Sequence, residues 1–186
     1  MWSAARVGTA VSLIVCLASL GCARGEAEAA GSHRFAVPEP YRVPASDRPF
    51  FLAQDGNDGF TFVLNPTAVL PKQILVRVDT KANICGRPAG IKAYVNSTVC
   101  RATPLEWSSQ ELRRSGDNVF WTYALTAPDK AVLISCSEVC GPARGFCMSP
   151  LPFDDLVLTL HFDDGEVGRL ATDYDAATAL LRSWER

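Results

Sequence analysis

Histidine and methionine are scarce, two of each in 186 residues, and lysine and arginine nowhere form a cluster. Arg113-Arg114 is the only adjacent basic pair. With a formal net charge of −2, the chain has no electrostatic footprint for nucleic acid or for an anionic membrane surface. His33 and His161 are its only imidazoles, so histidine-based metal or acid–base sites have little to draw on. The G-x-S-x-G, H-E-x-x-H and phosphate-loop motifs are missing. Their absence removes the commonest hydrolase, zinc-protease and nucleotide-binding signatures. No fixed-period repeat or low-complexity tract follows residue 49, which excludes solenoids and propellers. No motif calls for a cofactor.

What is present begins with an export signal. Arg6 and the chain amine give a weakly positive start, and Val7 to Leu20 is an uncharged, mostly apolar run. Small residues surround Cys22 in Ser19-Leu20-Gly21-Cys22-Ala23. This is the layout of a secretory signal peptide. The run is too short for a membrane-crossing helix, which needs about 20 apolar residues. Gly21-Cys22 resembles the bacterial lipoprotein signals, which imply a lipid on Cys22 and membrane attachment through it. Those signals usually carry Leu three residues before the cysteine; here Ser19 holds that place. The competing reading is ordinary cleavage after Ala23 or Gly25.

Three segments follow from composition: a signal at 1–23, a Pro/Ala-rich linker at 24–49 and one globular domain at 50–186. Pro38, Pro40, Pro44 and Pro49 favour extended chain in the linker. The alternative there is an arm packed on the domain through Phe35, Val37, Tyr41 and Val43. The 50–186 region has the usual size for one domain with its own core.

Period-2 patterns dominate that domain. Two apolar runs, Phe50 to Gln54 and Phe60 to Leu64, flank a Gly/Asn/Asp turn and read as a hairpin. Gln73 to Thr80 puts Ile74, Val76 and Val78 on one face. Ile91 to Cys100 reads as a weaker strand, and Val119 to Leu125 and Ala131 to Ser135 as strong ones. Leu156, Leu158, Leu160 and Phe162 share a face, Asp163-Asp164-Gly165 supplies a turn, and Val167 to Ala171 returns. Thr103-Pro104-Leu105-Glu106 predicts a helix start, with Gly116 its stop. A second helix is expected from about Asp173 to Trp184, with Thr172 and Asp175 at capping-box spacing. Tyr174, Ala177, Leu181 and Trp184 form its core-facing stripe. The fold class is therefore mainly β: an antiparallel sandwich or barrel-like sheet with a C-terminal helix packed on it, and α+β as its near neighbour.

Five cysteines follow the signal, and in an exported chain they read first as disulfides. Cys85–Cys100 is the expected first bridge, both residues lying at strand edges that flank one excursion. Cys140–Cys147 is the expected second, closing the turn-rich loop 141–146. The sharper alternative is a soft-metal or thiol-redox site built from Cys136, Cys140, Cys147 and His161. The Cys136-x3-Cys140 spacing resembles that of the copper-delivering thioredoxin-like assembly proteins. That family places proline after its first cysteine and a helix straight afterwards, whereas here Ser137 follows and Gly141-Pro142 breaks any helix.

The remaining candidates have simpler explanations. His161 lies opposite Leu160 and Phe162 and reads as a solvent-facing strand histidine. Asp154-Asp155 marks a strand entrance and Asp163-Asp164-Gly165 a tight turn. The Asp55 to Gly59 stretch lacks calcium-loop spacing. Asn96-Ser97-Thr98 is a glycosylation sequon that matters only in a eukaryote. The expected function is an exported, disulfide-containing module for binding a protein or glycan ligand, or for structure, rather than an enzyme.

Overall fold

The computed structural model describes residues 27–43, 59–86, 99–101, 106–107, 111–126, 131–138 and 145–186. Nine strands are described: β1 (Glu28–Ala30), β2 (His33–Phe35), β3 (Gly59–Val63), β4 (Leu75–Thr80), β5 (Leu112–Gly116), β6 (Phe120–Leu125), β7 (Val132–Glu138), β8 (Gly145–Phe153) and β9 (Leu156–Asp163). Two α-helices accompany them, α1 (Lys81–Gly86) and α2 (Leu170–Trp184). β1 and β2 pair with each other, and the other seven form one antiparallel sheet in the order β3-β4-β9-β8-β7-β6-β5. Strands β5 to β9 run as a meander, and the β3–β4 hairpin adds to the edge of β9. The fold is mainly β with a C-terminal helix.

One face of this sheet makes the main core. Val76 and Val78 lie opposite Leu160 and Leu158, and Leu151 and Phe153 lie opposite Leu158 and Leu156. Leu170, Ala177, Leu181 and Trp184 of α2 join the same cluster. Tyr174, expected on that stripe, is half-buried and donates its hydroxyl to Pro152 O at 2.5 Å. Asp173 takes the buried place instead, ion-paired with Arg169 at 3.1 Å.

The other face is also covered, and it is polar at its centre. Asp79 is 1% exposed and accepts two bonds from Arg77, at 2.7 and 2.9 Å. Thr61, Thr159 and His161 are buried in the same layer. Next to it, Ile84, Val99 and Val157 cluster beside the Cys85–Cys100 disulfide.

Three expectations change. Leu112–Gly116, placed in a helix that Gly116 stops, is strand β5 and pairs with β6. Gly116 is instead the hairpin glycine: its φ is +118°, and a Cβ there would lie 2.4 Å from Phe120 O. The segment after β9 does not return as a strand at Val167. It winds as a 3₁₀ turn over Asp164–Arg169, capped by Asp163, which accepts Gly165 N–H at 3.0 Å. That turn feeds α2 directly, three residues before the helix start expected at Asp173. The partner of β9 is β8 instead, joined through Asp154-Asp155 with Asp154 at φ 52°. Pro150 and Pro152 hid β8, because proline argues against a central strand. β7 pairs with β8 only as far as Met148; beyond it Ser149 Oγ donates to Leu133 O at 2.8 Å. The prolines sit where no β7 ladder has to be completed. The expected partner strand at 50–54 and the 91–98 segment lie outside the described residues.

Residues 28–43, read from composition as linker, bury Ala30, Phe35, Val37 and Val43. Phe35 packs on Phe60, ring centroids 5.3 Å apart. Ala36 N–H donates to Trp184 O at 2.8 Å and Arg186 N–H to Arg34 O at 3.0 Å. His33 bridges Glu185 at 2.5 Å and Asp155 at 2.8 Å, so it clips this hairpin to both the C-terminus and the β8–β9 turn.

The Glu185 hydrogen bond leads in raising the His33 pKa, with Asp155 adding to it and burial opposing. A raised folded-state value means the clip stabilises fully below the unfolded value of about 6.5. It then fades as pH climbs through the raised folded value. The difference in urea midpoint between the native chain and His33→Gln should therefore be largest near pH 5.5 and shrink by pH 8.5. An equal difference at both would assign the clip to neutral hydrogen bonding. His161 works in the opposite direction: burial, then the charge of Arg77, lowers its pKa to about 4. Its contribution is present above 6.5 and lost as pH falls toward 4, and comparison with the His33 variant cancels it.

Candidate functional site

One end of the large sheet gathers the features that could meet another molecule. The connection 64–74, the C-terminal end of β9, the N-terminal end of β8, the C-terminal end of β7 and the β5–β6 turn all lie there. The exposed large hydrophobic residues of the described chain are Val69 (65%), Leu70 (78%), Val119 (49%) and Phe120 (67%). All four stand on this end. Asp117 shapes the β5–β6 turn by accepting the N–H groups of Val119 and Phe120, both at 2.7 Å. The Phe120 N–H, then that of Val119, hold its pKa below the usual carboxylate value.

Under this rim lies a packed polar knot. Trp121 Nε1–H and the Tyr123 hydroxyl donate to Asp164 Oδ1 at 3.0 and 2.8 Å. Trp121 and Tyr123 are two apart on β6 and so share a face, and Trp121 lies opposite Cys136. Cys136 lies opposite Cys147 and is disulfide-bonded to it, Cα–Cα 4.1 Å. Both sulfurs approach Asp164 Oδ1, at 3.8 and 3.7 Å. A disulfide sulfur carries no hydrogen, so these are contacts rather than hydrogen bonds. Gly145 makes room for the indole: a Cβ there would lie 2.1 Å from the Trp121 ring. Arg114 stacks on the same indole, 4.9 Å from its centroid. Burial, then the bond to Asp164, raises the Tyr123 pKa.

Two cavities meet at Ile74, and the first of them reaches the knot at Asp164. One, of about 450 Å³, is lined by Lys72, Ile74, Gly145, Asp163, Asp164 and Glu166 among others. The other, about 460 Å³, lies between Leu64 and the Thr172, Asp173 and Leu180 side of α2.

The chemistry is that of a fastened surface. The Asp164 carboxylate is held by two donors and pins the 3₁₀ turn to β6. The expected Cys140–Cys147 bridge is corrected to Cys136–Cys147, because β7 and β8 set those two residues directly opposite. Cys140 lies outside the described residues. Cys136, Cys147 and Asp164 place ligand atoms within 4.8 Å of one another, but metal ligation needs thiolates and both sulfurs are tied in the disulfide. His161 does not join them. It pairs with Met148 on the opposite face of the sheet from Cys147 and Phe162. It is buried rather than solvent-facing, its ring 5.4 Å from that of Phe146. Cys22 and Asn96 lie outside the described residues. No described helix is long and apolar enough to cross a membrane.

Sequence reasoning missed Asp164, whose DDG setting reads as a turn, and the rim residues, whose common end appears only with the strand order. The alternation Trp121–Tyr123 facing Cys136 was the available signal.

No protein-family model matches the chain, and no curated protein matches it. Among solved structures, it is similar to an immunity protein of the Stenotrophomonas maltophilia type IV secretion system. The two are 12% identical with a TM-score of 0.48, over 86% of this chain and 94% of that one.

Proposed function

We propose that this chain is an exported, disulfide-stabilised binding module without catalytic activity, whose protein partner meets the rim of Val69, Leu70, Val119 and Phe120. The observation that carries the reading is that the four exposed large hydrophobic side chains of the described residues all lie on one end of the sheet, Val69 and Leu70 at its β3–β4 edge and Val119 and Phe120 at its β5–β6 edge. Contiguous exposed apolar residues mark interaction sites, and each adjacent pair offers one contact point to a partner that spans this end of the sheet. The signal-like residues 1–22 and the two disulfides support an oxidising compartment outside the cytoplasm. In this reading Cys22 bears the lipid that anchors the domain.

The test is site-specific photo-crosslinking in cells that export the chain, with the probe at position 70, 120 or 154. Position 154 lies in the β8–β9 turn at the far end of the sheet. One and the same adduct should form from 70 and 120 and not from 154, and the exported material should weigh as a chain beginning at lipidated Cys22. Equal adducts from 154, or none from 70 and 120, would remove the rim from the proposal.

A further inference from the structure

We infer that the partner adds to the large sheet as an eighth strand along β5, and that the added segment is acidic. This rests on the binding-module reading and gives the partner its chemistry.

The backbone register supplies the first argument. Thr126 N–H donates to Glu111 O at 3.2 Å, and Asp117 N–H to Phe120 O at 3.0 Å. Antiparallel pairing alternates hydrogen-bonded with non-hydrogen-bonded pairs. Glu111, Arg113, Ser115 and Asp117 therefore turn their backbone groups toward β6. Leu112, Arg114 and Gly116 turn theirs outward, and no described strand pairs with that side. Arg113, Arg114, Ser115 and Gly116 are exposed. Natural edges are blunted by charge, proline, bulges or cover, and the charge on β5, Arg113 and Arg114, repels a cationic strand but not an acidic one. β5 has no proline, and the irregularity nearest to it lies in the β6–β7 ladder at Tyr123/Ala124. An extended segment laid here gains main-chain hydrogen bonds, the mode known as strand addition.

Charge selects the occupant. Arg113 and Arg114 sit at the middle of β5 with side chains on opposite faces, and Glu111 and Asp117 flank them. Pairing with a second copy is disfavoured. The most extensive antiparallel self-register, with all of β5 paired, sets Arg114 opposite its own copy, and like charges directly opposite are destabilising. A segment carrying carboxylates meets a guanidinium whichever face it presents them on, because β5 offers one arginine to each face. The strand ends at the β5–β6 turn, where Val119 and Phe120 offer an apolar anchor at the same rim.

Fluorescence anisotropy of the exported chain with three labelled heptapeptides tests this. One alternates Val and Glu, one alternates Val and Lys, and one repeats the Val-Glu sequence with every backbone nitrogen methylated. The Val-Glu peptide should bind at least tenfold tighter than the Val-Lys peptide, and methylation should weaken it at least tenfold. The Arg113→Glu/Arg114→Glu variant should invert the charge preference. Equal binding of the two charge types, indifference to methylation, or an unchanged preference in the variant would overturn the inference. The methylation arm uses the native chain and holds whatever the variant's stability. No binding of any peptide, with cross-links from positions 70 and 120 retained, refutes strand addition and leaves the binding module standing. Loss of those cross-links as well ends both.

Discussion

Replacing Trp184 by alanine should lower the unfolding free energy by about 3–5 kcal/mol, the usual cost of truncating a large buried aromatic residue. The residue closes α2 and is 7% exposed. Its ring meets Tyr41 edge-on at 5.0 Å and Phe62 at 5.1 Å. The N-terminal arm, β3 and α2 thus converge on one indole, and its carbonyl also receives the Ala36 N–H. Removing the ring leaves a cavity that three elements line, and collapse of any one pulls on the others. Domains of this kind are stable by about 5–15 kcal/mol, so the loss is a large share of the total. A urea titration should show a lower midpoint for Trp184→Ala, with Ser183→Ala, on the exposed face, shifted by no more than about 0.5 kcal/mol. Equal midpoints for the two variants would mean that the arm does not dock on α2.

Much of this architecture was legible because burial leaves a period. The alternation of Ile74, Val76 and Val78 and of Leu156 to Phe162 marked two central strands, and the i, i+3, i+4 spacing marked α2. Where local signals pointed elsewhere, tertiary pairing overrode them. Leu112–Gly116 is polar and ends in glycine, which suits a helix end as well as a hairpin; only the ladder with β6 decides. β8 carries two prolines, tolerated because its β7 ladder stops at Met148. His161 was placed on the correct strand face, but its burial depends on what covers that face, which no local pattern encodes. The rim was invisible for the same reason: that residues 69–70 and 119–120 share one end of the sheet follows only once β4, β9, β8, β7 and β6 are laid side by side.

The cysteines show the same limit and lead to the second large effect. A closed 141–146 loop was an attractive local solution, yet the bridge follows strand register, which puts Cys136 against Cys147. The sequence separation is 11 for this bridge and 15 for Cys85–Cys100. Loop-closure entropy grows only logarithmically, so each bridge should stabilise the fold by about 3 kcal/mol through the unfolded chain. The consequences in the folded state differ. Cys136–Cys147 lies 0–4% exposed among Trp121, Tyr123 and Asp164, whereas Cys85–Cys100 borders the small Ile84/Val99/Val157 cluster. The Cys136→Ala/Cys147→Ala double variant should therefore lose about 3 kcal/mol and also change the near-ultraviolet circular dichroism, as the indole loses a packed neighbour. Cys85→Ala/Cys100→Ala should lose a similar amount with the tryptophan bands retained. A denaturation midpoint unmoved by the first variant, or a non-reducing peptide map returning Cys140 linked to Cys147, would refute the register-set bridge.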